Sequence, residues 1–391
     1  MTHCSELRAA GPATAKTADQ DWRSGPFLIV TRHDYRTLRK VNLHHYAEYL
    51  RVHGPVRFFS VGFSYLSRLT MDTRLPLWER SNRVENVEGV DCYLWRTAGH
   101  PFNLRGRLFD ALATPLFASY ARQAPAVLGD WAASSRYILI ESGLPVVFFQ
   151  AIKRANPTAR VAYFASDDLA AISCSPALEV ELAKTIGRYD WVFSPSRRLA
   201  AKFSAQIPGY CLPYGVEPEN FNISQPSPYD AGLNAVTAGT TLFDPTFFKI
   251  AAAEFPEITF HLLGCGARAV GLEQANVKVY PEVPFETVMN YFRHADFGVA
   301  PYESQDLDPY FAESSQKLTY MLMLGTPAVC PEAAVGSYPG RFGYVPGDPP
   351  SIAKAIRDAL AGGHFTGQPA LSWDEVTERL LAPMNYPDMR V

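Results

Sequence analysis

The most restrictive feature of the sequence is an alternation of short strand-like and helix-like segments, which occurs twice. In the first half the strand-like runs are FLIVTR (27–32), VRFFSV (56–61), DCYLWRT (91–97), YILIES (137–142), RVAYFAS (160–166) and DWVFSPS (190–196). In the second half they are AVTAGTTLF (235–243), TFHLLG (259–264), VKVYPEV (277–283), FGVAPY (297–302) and PAVCP (327–331). Because the intervening stretches have helical periodicity, as from about Arg36 to His53, the pattern predicts parallel sheets covered by helices on both faces.

A polar stretch separates the two alternating halves. The sequence YGVEPENFNISQPSPYDAG (214–232) is rich in Pro, Ser, Asn and Gly, which is typical of an exposed linker. A chain of 391 residues is also too long for one ordinary core. We therefore predict an α/β chain of two Rossmann-like, doubly wound domains that face each other across a cleft. The N-terminal domain spans 20–215 and is completed by a C-terminal helix within 373–391, and the second domain spans 216–372.

Charge and cysteine usage indicate the partners and the cellular location of the chain. The net charge is −3, but residues 1–200 carry 25 Lys+Arg against 18 Asp+Glu, so the acidic excess lies in the second half. A basic first half favours an anionic partner, such as a phospholipid surface or a pyrophosphate-bearing substrate, although chance segregation is the alternative. The six cysteines form no CxxC pair, and the first 25 residues do not read as a signal peptide. With no apolar run of about 18 residues, we expect a cytoplasmic chain with reduced thiols and no nucleic-acid partner.

Several common nucleotide-site motifs are missing. The chain has no GxxxxGK[ST], no GxGxxG after the first strand, and no DxD triplet in a metal-binding context. A P-loop ATPase and a dinucleotide enzyme are therefore disfavoured. We expect neither a metal nor an organic cofactor.

Two segments of the second half favour diphosphate binding. Gly264-Cys265-Gly266 follows the run TFHLL directly, and glycines at such a turn let backbone amides approach phosphates, although a plain turn is the commoner meaning of a lone GxG. Ser314 and Ser315 are expected to cap a helix that runs to about Leu324 and is ended by Gly325 and Pro327. Lys317 lies in its first turn, where the helix dipole disfavours a cation unless an anion binds there; the alternative is a solvated surface lysine. Tyr302 closes the run FGVAPY and Glu282 closes the run VKVYPEV, and they are candidates for nucleotide and ribose contacts.

Polar residues after two strands of the first half are candidates for acid–base work. Asp167 and Asp168 directly follow the run RVAYFAS. One of the two carboxylates is a candidate general base, while the other is a candidate helix N-cap. His33 and Asp34 follow the first strand and are candidates for orienting an acceptor hydroxyl. An Asx-type cap for the following helix is an equally good interpretation of that pair.

The chain resembles the GumK family of xanthan glucuronosyltransferases over about Phe27 to Pro387. The resemblance is carried, in order, by HDYRT (33–37), GVDCYLWRTAGHPFN (89–103), ASD (165–167), LFDPTFF (242–248), APYESQ (300–305), SSQKL (314–318), PAVCPEAAVGSYPGRFGYVPG (327–347) and SWDEVTERLL (372–381). It implies a GT-B fold and inverting, metal-independent transfer of glucuronic acid from UDP-glucuronate to O2 of a mannose. The implied acceptor is a polyprenyl-diphosphate-linked oligosaccharide at the inner face of the bacterial inner membrane.

The same resemblance assigns residue roles. The catalytic aspartate of the family falls on Asp167 and its diphosphate-binding lysine on Lys317. Its other donor contacts fall on Thr241, Glu282, Tyr302, Phe311, Ser315, Gln316 and Tyr320. The sequence departs from the family pattern at the donor residues Thr241, Gln316 and Tyr320, and also at Lys202 and Asp168.

The resemblance leaves rival functions open. These are a GT-B transferase with another nucleotide sugar, a UDP-sugar epimerase, and a catalytically inactive sugar-nucleotide-binding module. The acidic pair of retaining GT-B enzymes is absent, since Phe311 and Met321 stand eight residues after Glu303 and Glu313. The stretch HPFNLRGRLFDALATPLFASYAR (100–122) mixes arginines with apolar residues and favours either a membrane-surface helix or an ordinary core helix.

Overall fold

Two parallel sheets organise the chain. The computed structural model describes residues 21–38, 40–70, 72–103, 107–172, 174–217, 225–303 and 307–391, and only the backbone of Asp21 and of 107–112. The first sheet has eight strands in the order β3-β4-β2-β1-β5-β6-β7-β8, and the second has six in the order β12-β11-β10-β13-β14-β15. Strands β9 and β16 pair separately, and among the strand pairs of the described residues β3–β4 alone is antiparallel.

Each predicted run overlaps a strand, although the strand within 235–243 ends at Ala238, and five short strands of the described residues fall outside the predicted runs. The strands have the following bounds. They are β1 Phe27–Thr31, β2 Val56–Ser64, β3 Val84–Val87, β4 Val90–Thr97, β5 Tyr137–Glu141, β6 Arg160–Phe164, β7 Trp191–Ser194, β8 Gly209–Cys211, β9 Gly215–Val216, β10 Leu233–Ala238, β11 Ile258–Leu263, β12 Val277–Tyr280, β13 Phe297–Val299, β14 Ala328–Pro331, β15 Arg341–Tyr344 and β16 Leu371–Ser372. The central strands β1 and β5 are buried at every position, as expected for strands covered on both faces.

Helices cover the two sheets. They are α1 Asn42–Leu50, α2 Arg107–Arg122, α3 Ala126–Ser134, α4 Phe149–Ala155, α5 Pro176–Thr185, α6 Arg197–Ala201, α7 Pro245–Glu254, α8 Phe285–His294, α9 Phe311–Ser314, α10 Gln316–Leu324, α11 Pro349–Gly362 and α12 Trp373–Leu381. None of these helices is both long and apolar enough for a bilayer crossing. The described cysteines are all free.

The first helix is shorter than predicted. It begins at Asn42, not near Arg36, because a turn centred on Asp34 uses the intervening backbone: Arg36 N donates to Asp34 Oδ1 at 3.0 Å and Thr37 N to the Asp34 carbonyl at 3.1 Å. Lys40 Nζ then donates to the carbonyl of Tyr35 at 2.7 Å. The prediction that helix periodicity extended back to Arg36 was therefore wrong by about one and a half turns.

Helix α12, near the end of the chain, packs against helix α1 of the first half. Trp373, the first residue of α12, stacks on His45 of α1 with ring centroids 4.4 Å apart. A Cβ on Gly215 would lie 2.5 Å from the Trp373 ring, so β9 and α12 approach as closely as only glycine permits. In the predicted linker 214–232, residues 215–216 form β9, and residues 218–224 lie outside the described part of the chain.

Candidate active site

Asp167 lies just beyond the carboxyl end of β6, in the middle of the first sheet. Its backbone N–H donates to Ser142 Oγ at 3.2 Å, and its Oδ1 accepts from the Tyr310 hydroxyl at 3.3 Å. Burial first, and then the charge of Glu141, raises the pKa of Asp167 to about 6, while the Tyr310 hydrogen bond opposes the rise. A carboxylate with that pKa is largely ionised at neutral pH yet a better proton acceptor than an ordinary aspartate.

A cavity of about 440 Å³ opens beside Asp167. Its walls come from loops that leave β1, β2, β5 and β6, and its polar lining comprises Arg32, His33, Asp34, Thr37, Thr70, Asp72, Thr73, Arg74, Glu141 and Ser142. The carboxyl ends of parallel strands form one edge of the sheet, which is where ligands of such folds bind. The cavity therefore offers hydroxyl, carboxylate and cationic groups around Asp167, as recognition of a polyhydroxyl ligand requires.

The three other candidates of the first half divide between the cavity and the scaffold. His33 lines the cavity, with Nε2 at 3.6 Å from Glu141 Oε1. Asp34 is fully buried and forms an ion pair with Arg36 at 2.8 Å, so its carboxylate chiefly holds the turn before α1. The side chain thus forms an Asx-type turn with Arg36 N, but it does not cap the following helix as predicted, since the N-cap of α1 is Val41.

Asp168 holds the turn after β6 and is not the predicted helix N-cap, since the next helix, α5, begins at Pro176 with Ser175 as its N-cap. Its Oδ1 accepts from Ala170 N at 2.9 Å, and its Oδ2 forms an ion pair with Lys202. The two departures from the family pattern in this half, Asp168 and Lys202, are therefore in direct contact. Lys202 also lies 3.6 Å from Asp308 Oδ2 in the second half.

The start of α10 carries the predicted cap. Ser315 is its N-cap and accepts from Leu318 N at 3.3 Å, and Gly325 ends the helix in the left-handed conformation at φ 74°. The Tyr302 hydroxyl hydrogen-bonds to Ser315 Oγ, and Lys317 Nζ lies 5.5 Å from the centroid of the Tyr302 ring. Ser314 is not a cap of α10: it ends the short helix α9, and its carbonyl accepts from the Tyr214 hydroxyl at 2.6 Å.

The glycine turn lies at the ends of β10–β12. Gly264 and Gly266 have φ of 58° and 68°, values that favour glycine. A Cβ on Gly264 would lie 3.3 Å from Glu282 Cγ, and one on Gly266 would lie 2.9 Å from Thr240 Cγ2, next to the exposed Thr241. These donor candidates are therefore close neighbours.

Lys317 connects that turn with the start of α10. Burial raises the pKa of the Cys265 thiol to about 11, and the positive charge of Lys317 opposes this rise, so the ammonium is near the glycine turn. Gln316 and Tyr320 form a separate pair, in which Gln316 Nε2 donates to the Tyr320 hydroxyl at 2.8 Å. Tyr320 packs on Phe285 with centroids 5.2 Å apart.

Two residues of the site were missed by the sequence analysis. Tyr310 contacts Asp167 from the second half, and its ring packs on Phe311 at 4.5 Å, which in turn lies 5.9 Å from the Tyr302 ring. A row of aromatic contacts thus leads from Asp167 to Lys317. Glu141 at the end of β5 was also missed, although a polar residue closing a buried strand is the same signal that singled out Asp167.

Comparison with known proteins identifies the family of the chain. A family model described as the N-terminal domain of glucuronosyltransferase GumK matches residues 29–195. A relative from Xanthomonas campestris pv. campestris, UDP-glucuronate:glycolipid 2-beta-glucuronosyltransferase, is 40% identical over 365 residues, which covers 93% of this chain and 91% of the relative. The chain belongs to the GumK glucuronosyltransferase family. As a GumK-family member it is a glycosyltransferase, which confirms the predicted class of enzyme.

Solved structures identify the fold of this GumK-family chain. A UDP-forming alpha,alpha-trehalose-phosphate synthase from Burkholderia xenovorans has a TM-score of 0.56 at 12% identity, covering 92% of this chain and 99% of the other. The trehalose-6-phosphate synthase OtsA has a TM-score of 0.52 at 11% identity over the same shares. Both are GT-B glycosyltransferases, so the predicted GT-B fold with two Rossmann-like halves is confirmed.

Proposed function

We propose that this GumK-family enzyme transfers glucuronic acid from UDP-glucuronate to O2 of a mannose on a polyprenyl-diphosphate-linked oligosaccharide in exopolysaccharide synthesis. The proposal includes inversion at the anomeric carbon and no requirement for a metal. The observation that carries it is the contact of Tyr310 with Asp167, which joins the base candidate to the segment that leads into α10 and Lys317. The relative's name, which specifies UDP-glucuronate and a glycolipid, supports the donor and the acceptor class.

In this reaction Asp167 acts as the general base. The acceptor hydroxyl gives its proton to Asp167 while its oxygen bonds to the anomeric carbon, and UDP leaves from the opposite face with the electron pair of the broken C–O bond. A pKa of about 6 suits this role, because the group is ionised before the reaction and binds the proton readily during it. General-base help of this kind contributes about 10²–10⁴-fold in rate.

The leaving diphosphate is stabilised by fixed positive charge. Lys317 and the backbone N–H groups at the start of the nine-residue helix α10 supply cationic and dipolar stabilisation. The Gly264–Gly266 turn offers further backbone amides at close approach. These groups take the role that a divalent cation has in metal-dependent transferases, which is the physical reason for proposing metal independence.

Three residues on the donor side bear on the identity of the donor sugar. Thr241, Gln316 and Tyr320 depart from the family pattern, and the Gln316–Tyr320 hydrogen bond at 2.8 Å ties two of them together. A transferase with another UDP-sugar is therefore the second candidate. Calorimetric titration with UDP-glucuronate, UDP-glucose and UDP-galacturonate separates the two: tightest binding of UDP-glucuronate supports the first, and preference for another sugar replaces it.

Membrane docking at the cytoplasmic face of the inner membrane is the second part of the proposal. Loops after the adjacent strands β1 and β2 expose Leu38 at 90%, Leu69 at 82% and Tyr65 at 56%, and their neighbours Thr37 and Thr70 line the cavity. Apolar and aromatic side chains beside a basic residue, here Arg68, are typical of interfacial membrane contact. This apolar rim would bring the cavity to a lipid-linked acceptor.

The segment 100–122 predicted for docking is only partly described. Residues 107–122 form α2, Phe102 and Leu116 are 53% and 51% exposed, and the side chains of 104–112 lie outside the described part of the chain. Sedimentation with anionic vesicles at low and high salt tests docking. Binding that is lost in Leu38→Ser/Leu69→Ser supports the rim, and indifference to lipid composition and salt contradicts it.

The decisive test of function uses UDP-glucuronate and a set of polyprenyl-diphosphate-linked acceptors, followed by mass and linkage analysis of the product. We expect one added glucuronic acid in β linkage at mannose O2. Asp167→Asn should lower turnover by at least 100-fold while leaving UDP binding within threefold. Lys317→Ala should weaken UDP binding at least tenfold, and Lys317→Arg should retain part of it. Wild-type turnover by Asp167→Asn would remove Asp167 from the mechanism.

A further inference from the structure

Glu141 places a second carboxylate directly behind Asp167. Its side chain is 6% exposed, and it closes β5, the strand next to β6. Oε2 accepts hydrogen bonds from the Thr31 hydroxyl and, at 3.3 Å, from Arg32 N. Oε1 accepts from Ser166 Oγ at 3.1 Å. Burial raises the pKa of Glu141, and these donors oppose that rise by stabilising its ionised form.

Two adjacent residues at the end of β5 hydrogen-bond to two adjacent residues that follow β6. Glu141 accepts from Ser166, and Ser142 Oγ accepts from the backbone N–H of Asp167 at 3.2 Å. Glu141 and Phe164 are partners in the parallel register of the two strands, so the contacts are set by the sheet itself. The segment that carries Asp167 is therefore held by hydrogen bonds to the end of the neighbouring strand, one of them to a carboxyl group whose ionised form the surrounding donors favour.

We propose that Glu141 is a positioning residue for the general base, which orients the Ser166–Asp167 turn and whose negative charge favours proton transfer from the acceptor hydroxyl to Asp167. The inference rests on the proposed role of Asp167. Its physical basis is that two like charges repel before the reaction, and the repulsion is relieved when Asp167 accepts the proton. An interaction that is unfavourable only in the ground state lowers the barrier.

Among the charged and titratable groups around Asp167 and Glu141, Glu141 has the largest effect on the pKa of Asp167. Tyr310 donates a hydrogen bond to Asp167 and so lowers its pKa. The Asp168 carboxylate raises the pKa of Asp167, as Glu141 does, but it is ion-paired with Lys202. The other titratable neighbours are neutral at pH 7; they are Cys174, Tyr163, Tyr214 and Tyr302. Around Glu141 the cationic groups are Arg32 and, when protonated, His33. Because Glu141 is buried, its charge acts through a medium of low dielectric constant.

Charge and shape can be separated by two conservative substitutions. Glu141→Gln keeps the shape and most hydrogen bonds but removes the charge, whereas Glu141→Asp keeps the charge and shortens the side chain. The readout is the titration of the Asp167 carboxyl carbon by NMR in full-length protein labelled at aspartate, assigned by its absence in Asp167→Asn. We expect the midpoint to fall by roughly 1 pH unit in Glu141→Gln and to stay near the wild-type value in Glu141→Asp.

The same variants have a kinetic signature. In Glu141→Gln the acid limb of the kcat/KM profile should move to lower pH and the plateau should fall, because Asp167 becomes a weaker base. A purely structural role predicts a lower plateau with the acid limb unmoved and the greater loss in Glu141→Asp. An unchanged NMR midpoint in Glu141→Gln overturns the inference, whatever the activity.

Two further outcomes keep the inference testable. If Glu141→Gln does not fold, the wild-type titration decides: two coupled inflections at the Asp167 resonance support the inference, and a single one contradicts it. If Asp167→Asn keeps the wild-type rate, the proposed function fails, while the NMR midpoints still show whether Glu141 acts on Asp167.

Discussion

Replacing Asp167 by asparagine should stabilise the protein even as it removes activity. The environment of Asp167 raises its pKa from 3.8 to about 6, chiefly through burial, so the folded state disfavours the ionised form that predominates at neutral pH. A difference of about two pKa units corresponds to about 3 kcal/mol of unfolding free energy, at 1.36 kcal/mol per unit. Asparagine removes this cost and keeps an oxygen that can accept the Tyr310 hydrogen bond.

The pH dependence of this gain has a definite sign. Well below pH 3.8 the carboxyl is protonated in both the folded and unfolded states, so the substitution has no electrostatic effect. Between 3.8 and about 6 the unfolded state ionises while the folded state remains largely protonated, and the cost grows. At pH values above this range, Asp167 is ionised in both states and the full cost of burying its charge applies. The stabilisation should therefore be about 3 kcal/mol at pH 8 and about half of that at pH 5.

Urea unfolding followed by circular dichroism at pH 8 and pH 5 measures both values. Asp168→Asn is the matched control, since it removes a neighbouring carboxylate that is ion-paired with Lys202 and should not stabilise the fold at either pH. The reasoning is refuted if Asp167→Asn is less stable than the wild type at pH 8, or if its gain does not shrink at pH 5. A gain of equal size in both variants would point to net charge as the cause.

Three further predictions address the site. Tyr310→Phe removes a hydrogen bond that stabilises ionised Asp167, so the acid limb of the kcat/KM profile should move to higher pH by less than about 1 unit, opposite to Glu141→Gln; a shift to lower pH contradicts it. Gly266→Ala places a Cβ 2.9 Å from Thr240 at φ 68°, so steady-state kinetics should show a higher KM for the nucleotide sugar; an unchanged KM separates this turn from the donor site. Dialysis against EDTA should leave the rate within twofold, and a loss restored by Mg²⁺ or Mn²⁺ would disprove metal independence.

The strands were predictable because burial on both faces leaves a continuous apolar signal. The core strands β5 and β6 were found within two residues at each end. The predicted run 297–302 overextends β13, which ends at Val299, because Pro301 has no N–H to donate and Asp244 N bonds to its carbonyl at 2.8 Å. The short strand β3 was missed because its four residues alternate between exposed and half-buried positions and lack an apolar run.

The candidate site was predictable where its residues depend on local structure alone. Asp167 follows a strand, Ser315 caps a helix, and Gly264 adopts positive φ, so each has a sequence signature in its own segment. Tyr310 lacks such a signature, because its role comes from a contact with Asp167 across 143 positions of sequence. Glu141 closes a buried strand, but its contact with Ser166, 25 positions away, is set by the pairing of β5 and β6. Fold topology, and not local pattern, brings these side chains together.

Lys317 makes an aromatic contact that the sequence analysis did not include. A cation in the first turn of α10 opposes the helix dipole, which was the reason for inferring an anionic ligand. In the structure its ammonium lies against the electron-rich face of Tyr302, a contact that contributes about 0.5–2 kcal/mol and offsets part of that cost. The cation–π contact also aims the ammonium, since Tyr302 is itself held by Ser315.

The segment from Leu307 to Ser315 ties the two halves together at the reaction centre. Asp308 lies 3.6 Å from Lys202, Tyr310 donates to Asp167, and Glu313 accepts from Ser196 Oγ at 2.7 Å. Polar contacts of this kind contribute about 0.5–1.5 kcal/mol each, so together they favour the joined arrangement of the two halves. Ser315, at the end of the same segment, caps α10, so the segment that contacts Asp167 also leads into the helix that carries Lys317. The hydrogen bonds that Ser142 and Glu141 accept from Asp167 N and Ser166 Oγ lie within the first half alone, so they do not depend on the contacts of this segment.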